Sequence, residues 1–301
     1  MSQDGYHIPV MAQQCIQMLD IKPDGIYIDV TFGGGGHSRL ILEQLGPQGR
    51  LIGFDQDEDA RANALDDPRF TFIPHNFRTL RQFLRVEGIR QCDGILADLG
   101  VSSHQFDEAD RGFSYRFDAD LDMRMNQEAP VTAATIINTR EADELQRIFG
   151  EYGEVRNAKT LAQRIVTVRQ TRPLVTINDL LKVADPIAFQ PRPKYLAQVF
   201  QALRIEVNDE LGALREFLTQ TLEVLRPEGR LVVMSYHSLE DRLVKNFFKM
   251  GNFDGTPDRD FFGNINRPWN IVTRKAIEPN EAEIAQNSRA RSAKLRVAAK
   301  K

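Results

Sequence analysis

Between Gly25 and Asp98 the chain repeats one pattern of a short apolar run, a turn and a helix-like stretch, and this alternation restricts the fold more than any other feature. Residues 25–30 read as a buried strand running into the glycines Gly33, Gly34, Gly35 and Gly36, then a helix over residues 38–45. Residues 50–55 read as a second strand ending in an acid, followed by a helix over 57–65. Residues 69–74 make a third strand and 93–98 a fourth, again closed by a carboxylate. Strands that alternate with helices pair in parallel, because a parallel connection needs a crossover. The class expected is α/β, a doubly wound, mostly parallel sheet with helices on both faces.

After Gln105 the strand signal stops. Helical patterns occupy 141–149, 157–169, 177–183 and 193–204, and the sheet pattern returns with a helix over 209–225, the turn Arg226-Pro-Glu-Gly229 and a strand over 230–235. Residues 270–275 and 293–297 fit two closing strands. The expected organisation is a sheet domain in two parts, 1–108 and 206–301, interrupted by a helical insertion over 109–205 that is long enough for its own core.

Charge is distributed unevenly along the 301 residues. Residues 156–204 hold nine Lys/Arg against Asp179 and Asp185, a net +7, and residues 265–301 hold nine against three Glu, a net +6. The whole chain carries −3, so the remainder is strongly acidic. Solvated helix faces account for such segments in many proteins, but two basic segments in an acidic chain also suit a polyanionic substrate. Cys15 and Cys92 form no framework or ligand spacing. Residues 1–9 lack the basic and apolar runs of a leader, and no stretch approaches the roughly 20 apolar residues of a membrane span, so a cytoplasmic location away from membranes is expected.

In an open parallel sheet, ligands bind beyond the carboxyl ends of the strands, where the first glycine loop lies. Thr31-Phe-Gly-Gly-Gly-Gly-His37 stands there, and Asp55 at the end of the second strand is placed to accept hydrogen bonds from an adenosine ribose. A glycine loop and one acid leave a methyltransferase, a nicotinamide-dinucleotide enzyme and a structural turn all open. The carboxylate Asp98 and the late Arg226-Pro-Glu-Gly turn favour methyl transfer.

Seven blocks carry a closer likeness: Thr31-Phe-Gly-Gly-Gly-Gly-His-Ser38, Asp98-Leu-Gly-Val-Ser-Ser103, Arg111-Gly-Phe-Ser114, Leu121-Asp-Met-Arg-Met125, Phe200-Gln-Ala-Leu-Arg-Ile205, Ser238-Leu-Glu-Asp-Arg242 and Ser288-Arg-Ala-Arg-Ser292. In identity and order they resemble the ribosomal RNA small subunit methyltransferase H (MraW) family over nearly the whole chain. The loop between Met250 and Trp269 departs from the family pattern. The resemblance implies a Rossmann-like class I methyltransferase that uses S-adenosylmethionine. Its product would be N4-methylated cytidine in the decoding region of 16S ribosomal RNA, with the small ribosomal subunit as partner. It places Gly35, Gly36, His37, Asp55, Phe77, Asp98 and Gln105 around the cofactor, with Gly33 and Gly34 in the same loop.

A cytosine amine is a poor nucleophile because its lone pair is delocalised into the ring, so a fixed acceptor beside it helps. Asp98 is the candidate catalytic residue, and a cofactor contact alone is the alternative role for it. Related amino-methyltransferases follow this acid with two prolines and an aromatic, whereas Leu99, Gly100 and Val101 stand here. The aromatic that stacks on the base is therefore sought in Phe113 or Tyr115. Arg124, which has Asp122 as an alternative partner, Arg289 and Arg291 are candidates for contacts to substrate. His7, His37, His104 and His237 form no recognised metal-ligand set, and residues 55–66 fail as a calcium loop at Ala60 and Asp66, so no metal is expected. A noncatalytic RNA-binding or assembly protein that keeps the fold is the rival reading. Assembly into identical copies is left open.

Overall fold

The computed structural model describes residues 9–259 and 261–301. Along the chain lie α1 (Ala12–Leu19), β1 (Ile26–Asp29), α2 (Gly36–Gln44), β2 (Arg50–Phe54), β3 (Phe70–Ile73), α3 (Leu80–Val86) and β4 (Cys92–Asp98). Then follow the helices α4 (Ser103–Asp107), α5 (Ala133–Thr139), α6 (Ala142–Arg147), α7 (Ala158–Arg169), α8 (Ile177–Ala184), α9 (Arg192–Asn208) and α10 (Glu210–Val224). The chain ends through β5 (Leu225–Ser235), α11 (Ser238–Met250), β6 (Trp269–Ile271), α12 (Glu281–Gln286) and β7 (Lys294–Lys300).

Among the described residues the strands form one seven-stranded sheet in the order β3-β2-β1-β4-β5-β7-β6. β1 to β5 pair in parallel, and β7 runs antiparallel between β5 and β6. Leu231, Val232, Val233 and Met234 on β5 are all buried, as parallel strands covered on both faces require. The order reverses between β1 and β4, so the ligand crevice of this fold opens at their carboxyl ends. Gly94 leaves room for a neighbouring ring: a Cβ there would lie 2.8 Å from the buried Tyr27 side chain.

Two local expectations change. Residues 57–65 form only a 3-10 turn over Glu58–Asn63, because Asp57 donates its N–H to Asp55 Oδ1 at 2.8 Å and accepts that of Asp59 at 3.2 Å, an Asx arrangement that competes with an α-helix. The Arg226-Pro-Glu-Gly turn is drawn into β5 as a bulge: Cys92 pairs with Leu225 and Gly94 with Arg230, so the residues between them loop out, with Glu228 at φ 64°.

The chain divides into two compact units, one of residues 1–100 with 212–301 and the other of 101–211. The second takes in α4 and the start of α10 on either side of the 109–205 span. Its helices close on their own core, with Ile136, Leu145, Phe149, Leu161, Ile165, Leu180, Leu196 and Val199 all buried. Thr132 and Thr176 start α5 and α8 with capping boxes. Leu161→Ala is expected to cost about 2–5 kcal/mol of stability through the cavity it leaves, checked by chemical denaturation followed by circular dichroism.

Candidate cofactor site

After β1 the chain turns sharply. Phe32 donates its N–H to Phe54 O at 2.9 Å, and Gly35 donates to Phe32 O at 2.8 Å. Gly33 at φ 50° and Gly35 at φ 73° take the left-handed conformation, and a Cβ on Gly35 would lie 2.9 Å from the Phe32 ring. Gly34 faces open space, where a Cβ would meet nothing within 4 Å. Gly36 opens α2, which has no side-chain cap, so the positive end of the helix is offered to a ligand.

Buried carboxylates set the shape of this loop. Asp29 at the end of β1 accepts from Ser38 Oγ at 2.7 Å and from the Thr31 N–H at 3.2 Å. Thr31 Oγ1 accepts from the Asp98 N–H at 2.7 Å, tying the ends of β1 and β4 together. Asp55 accepts from the Gly33 N–H through Oδ2 and from the Asp57 N–H through Oδ1, both at 2.8 Å. Each Asp55 oxygen keeps a second lone pair, the acceptor pattern that two vicinal ribose hydroxyls need. Phe77 stands at the same edge: its neighbour Asn76 donates to Gln56 Oε1 at 2.7 Å, and the half-buried ring tilts against Phe217 at 5.3 Å.

Asp98 closes β4. Its Oδ1 accepts from Tyr236 Oη at 2.8 Å, and its Oδ2 lies 3.9 Å from His37 Nδ1. Burial pushes Asp29, Asp55 and Asp98 up to about 6; for Asp98, His37 and the Tyr236 hydrogen bond pull in the other direction. Burial and then the Asp98 carboxylate hold the Tyr236 phenol well above its usual range, so it remains a donor. Burial lowers His37, while the Asp98 carboxylate and the Val10 carbonyl pull it up. Its Nε2 lies 3.2 Å from Val10 O, and its Nδ1 faces Asp98.

The other residues singled out in the sequence are placed as follows. Gln105 is buried in α4, and its side chain accepts from the Ser102 N–H at 3.0 Å in a capping box. Phe113 is only 5% exposed and belongs to the helical core, beneath the Arg111 guanidinium, so its ring is closed to a base. Tyr115 is half-buried, edge-on to Phe200 at 5.6 Å. Arg124 forms a two-pronged ion pair with Asp122, both contacts at 2.7 Å, and also donates to Gln127 O and Ala129 O, which makes it a structural clamp. Arg289 and Arg291 are exposed on a 3-10 turn. His7 lies outside the described residues. Sequence reasoning passed over Asp29, Thr31 and Tyr236 as site residues, although each stands at or just past a strand's carboxyl end, the signal that singled out Asp55 and Asp98.

A seven-stranded sheet wound in this order, with an antiparallel last strand and a glycine loop after the first, is that of a class I methyltransferase, an enzyme that binds S-adenosylmethionine and transfers its methyl group. The chain belongs to the MraW methylase family, whose profile matches residues 4–301. It is 57% identical to the ribosomal RNA small subunit methyltransferase H of Parabacteroides distasonis, over 98% of this chain and 97% of that one. Proteins of the same name from Bacteroides thetaiotaomicron and Flavobacterium johnsoniae are each 56% identical, over 98% of both chains. Among the described residues no helix is long and apolar enough to cross a membrane.

Asp55→Ala tests the acid expected to hold the ribose, whose hydrogen bonds there would be the same before and during reaction. The affinity for S-adenosylmethionine is expected to fall by about 10- to 100-fold with turnover at saturation nearly unchanged, measured by calorimetry beside single-turnover methylation.

Proposed function

We propose that this enzyme methylates the N4 amine of a cytidine in the decoding region of 16S ribosomal RNA, in the cytoplasm, with small-subunit particles as its substrate. The name borne by its relatives supports the RNA, and the fixed, half-buried Asp98 carboxylate carries the reading of the chemistry. S-adenosylmethionine, when bound, supplies an electrophilic methyl group. Asp55, Phe77 and the Gly33–Gly36 loop would hold its adenosyl and amino-acid ends, with His37 and Asp98 beside them.

The chain's own contribution is electrostatic. As the amine nitrogen forms its bond to carbon it becomes positive and must lose a proton. A carboxylate beside it stabilises that charge and, with a proton affinity raised by burial, accepts the proton. Tyr236 fixes the orientation of Asp98 and favours its charged form. Asp98→Asn keeps the shape but loses the charge, and single-turnover methylation at saturating cofactor is expected to fall on the order of 100-fold. Ionised Asp98 is the active form, so activity rises with pH through its titration. Tyr236→Phe removes a hydrogen bond that lowers this pKa, so the midpoint of the pH–rate profile moves to higher pH. A midpoint left in place would remove Tyr236 from the mechanism. Mass mapping of 16S ribosomal RNA from a strain lacking the protein tests the substrate, and an unchanged N4-methylcytidine content would overturn it.

The sheet unit is assigned to the cofactor and the helical unit to RNA. Replacing residues 109–205 with a short linker is expected to preserve S-adenosylmethionine binding and abolish methylation of small-subunit particles, with calorimetry and methyl transfer as the two readouts. Loss of cofactor binding in a folded variant would refute the division.

A further inference from the structure

We propose that Phe117 and Phe189 of the helical unit, flanked by Arg116 and Lys194, form a stacking surface for unpaired nucleotides of the RNA. The proposal rests on the function proposed above and names the surface that would hold the substrate.

Phe117 is 48% and Phe189 51% exposed. Single exposed apolar side chains are ordinary on a mobile loop, but these two stand on tethered backbone. The loop bearing Phe189 is fixed on one side by Asn157 Nδ2, which donates to Ile187 O at 2.9 Å, and on the other by Tyr115 Oη, which donates to Pro193 O at 3.5 Å. The residues after Phe117 are fixed by the Asn178 N–H, which donates to Asp118 Oδ1 at 3.1 Å, and by the Ile177 N–H, which donates to Ala119 O at 2.8 Å. The Tyr115–Pro193 bond brings the segment carrying Arg116 and Phe117 alongside the one carrying Phe189 and Lys194. Tyr115 itself, packed against Phe200, serves as the anchor between them.

Charge selects the partner. Arg172 and Lys182 pair with Asp179, Arg192 with Asp185 and Arg204 with Glu210. Arg116 and Lys194 are exposed and meet no carboxylate among the described residues. Of the carboxylates on the same segments, Asp118 accepts from the Asn178 N–H and Asp185 pairs with the Arg192 guanidinium, while Asp120 is exposed beyond Phe117. Exposed rings beside unpaired cations fit single-stranded RNA: each base offers a π-face to a ring and each phosphate a partner to a cation. A protein partner of apolar surface would leave both cations without a counter-charge.

The test compares wild type with Phe117→Ala/Phe189→Ala and with Arg116→Gln/Lys194→Gln. Binding to a single-stranded RNA of about 12 nucleotides is followed by fluorescence anisotropy, and methylation of small-subunit particles is measured in parallel. The aromatic variant is expected to bind this RNA at least about 10-fold more weakly. It should raise KM for particles, with kcat and S-adenosylmethionine affinity unchanged. The charge variant is expected to flatten the slope of log affinity against log salt by roughly 1 to 2. RNA affinity and KM unchanged in both variants would overturn the proposal. So would a self-associated wild type that the aromatic variant turns monomeric in sedimentation without a change in RNA affinity, which would assign the surface to a second copy. If wild type binds the RNA but methylates no ribosomal RNA, the functional reading fails, while the anisotropy series still decides the surface.

Discussion

Burial of charge where the strands end organises the sheet unit. Asp29, Asp55 and Asp98 stand at the ends of β1, β2 and β4, where desolvation pushes each carboxyl to about 6. A buried carboxylate persists only if donors surround it. The donors here are the parts of the loop that a cofactor needs fixed: Ser38 and Thr31 on Asp29, Gly33 and Asp57 on Asp55, Tyr236 on Asp98. The bond to Asp55 fixes Gly33 at positive φ, Gly35 is turned by its own bond to Phe32 O, and the start of α2 has no side-chain cap.

The helical unit uses its arginines differently. The stretch between α4 and α5 has little regular structure, so its carbonyls need other partners. Arg111 donates to Arg124 O and Met125 O, both at 3.1 Å, and Arg124 donates to Gln127 O and Ala129 O. Burial alone would raise Asp122, but the guanidinium and N–H of Arg124 more than reverse this and leave the acid below its usual range. Gly112, at φ 73°, passes so close to the Asp120 carbonyl that a Cβ would lie 2.5 Å from it. These guanidinium groups hold a loop in place of secondary structure.

Local pattern carried far. The period of the apolar residues and the glycine run determined the parallel sheet, the place of the cofactor loop and the helical insertion, because those signals arise within a few residues of one another. The strand-end rule pointed to Asp55 and Asp98, and the structure puts one just past β2 and the other at the end of β4. What depends on distant residues was illegible. Tyr236 reaches Asp98 across 138 positions, and no spacing in a sequence reports that the residue just past β5 will lean over the end of β4. Phe113 and Tyr115 are two residues apart and equally aromatic, yet one is sealed in the helical core and the other anchors a surface loop. Arg124 read equally well as a contact to the substrate and as a partner for Asp122, and only the folded loop, whose carbonyls it serves, decided between them. The sequence by itself determined which chemistry the chain carries. Tertiary structure decided which side chains remain free to perform it, because burial and hydrogen-bond satisfaction are settled only when segments distant along the chain pack together.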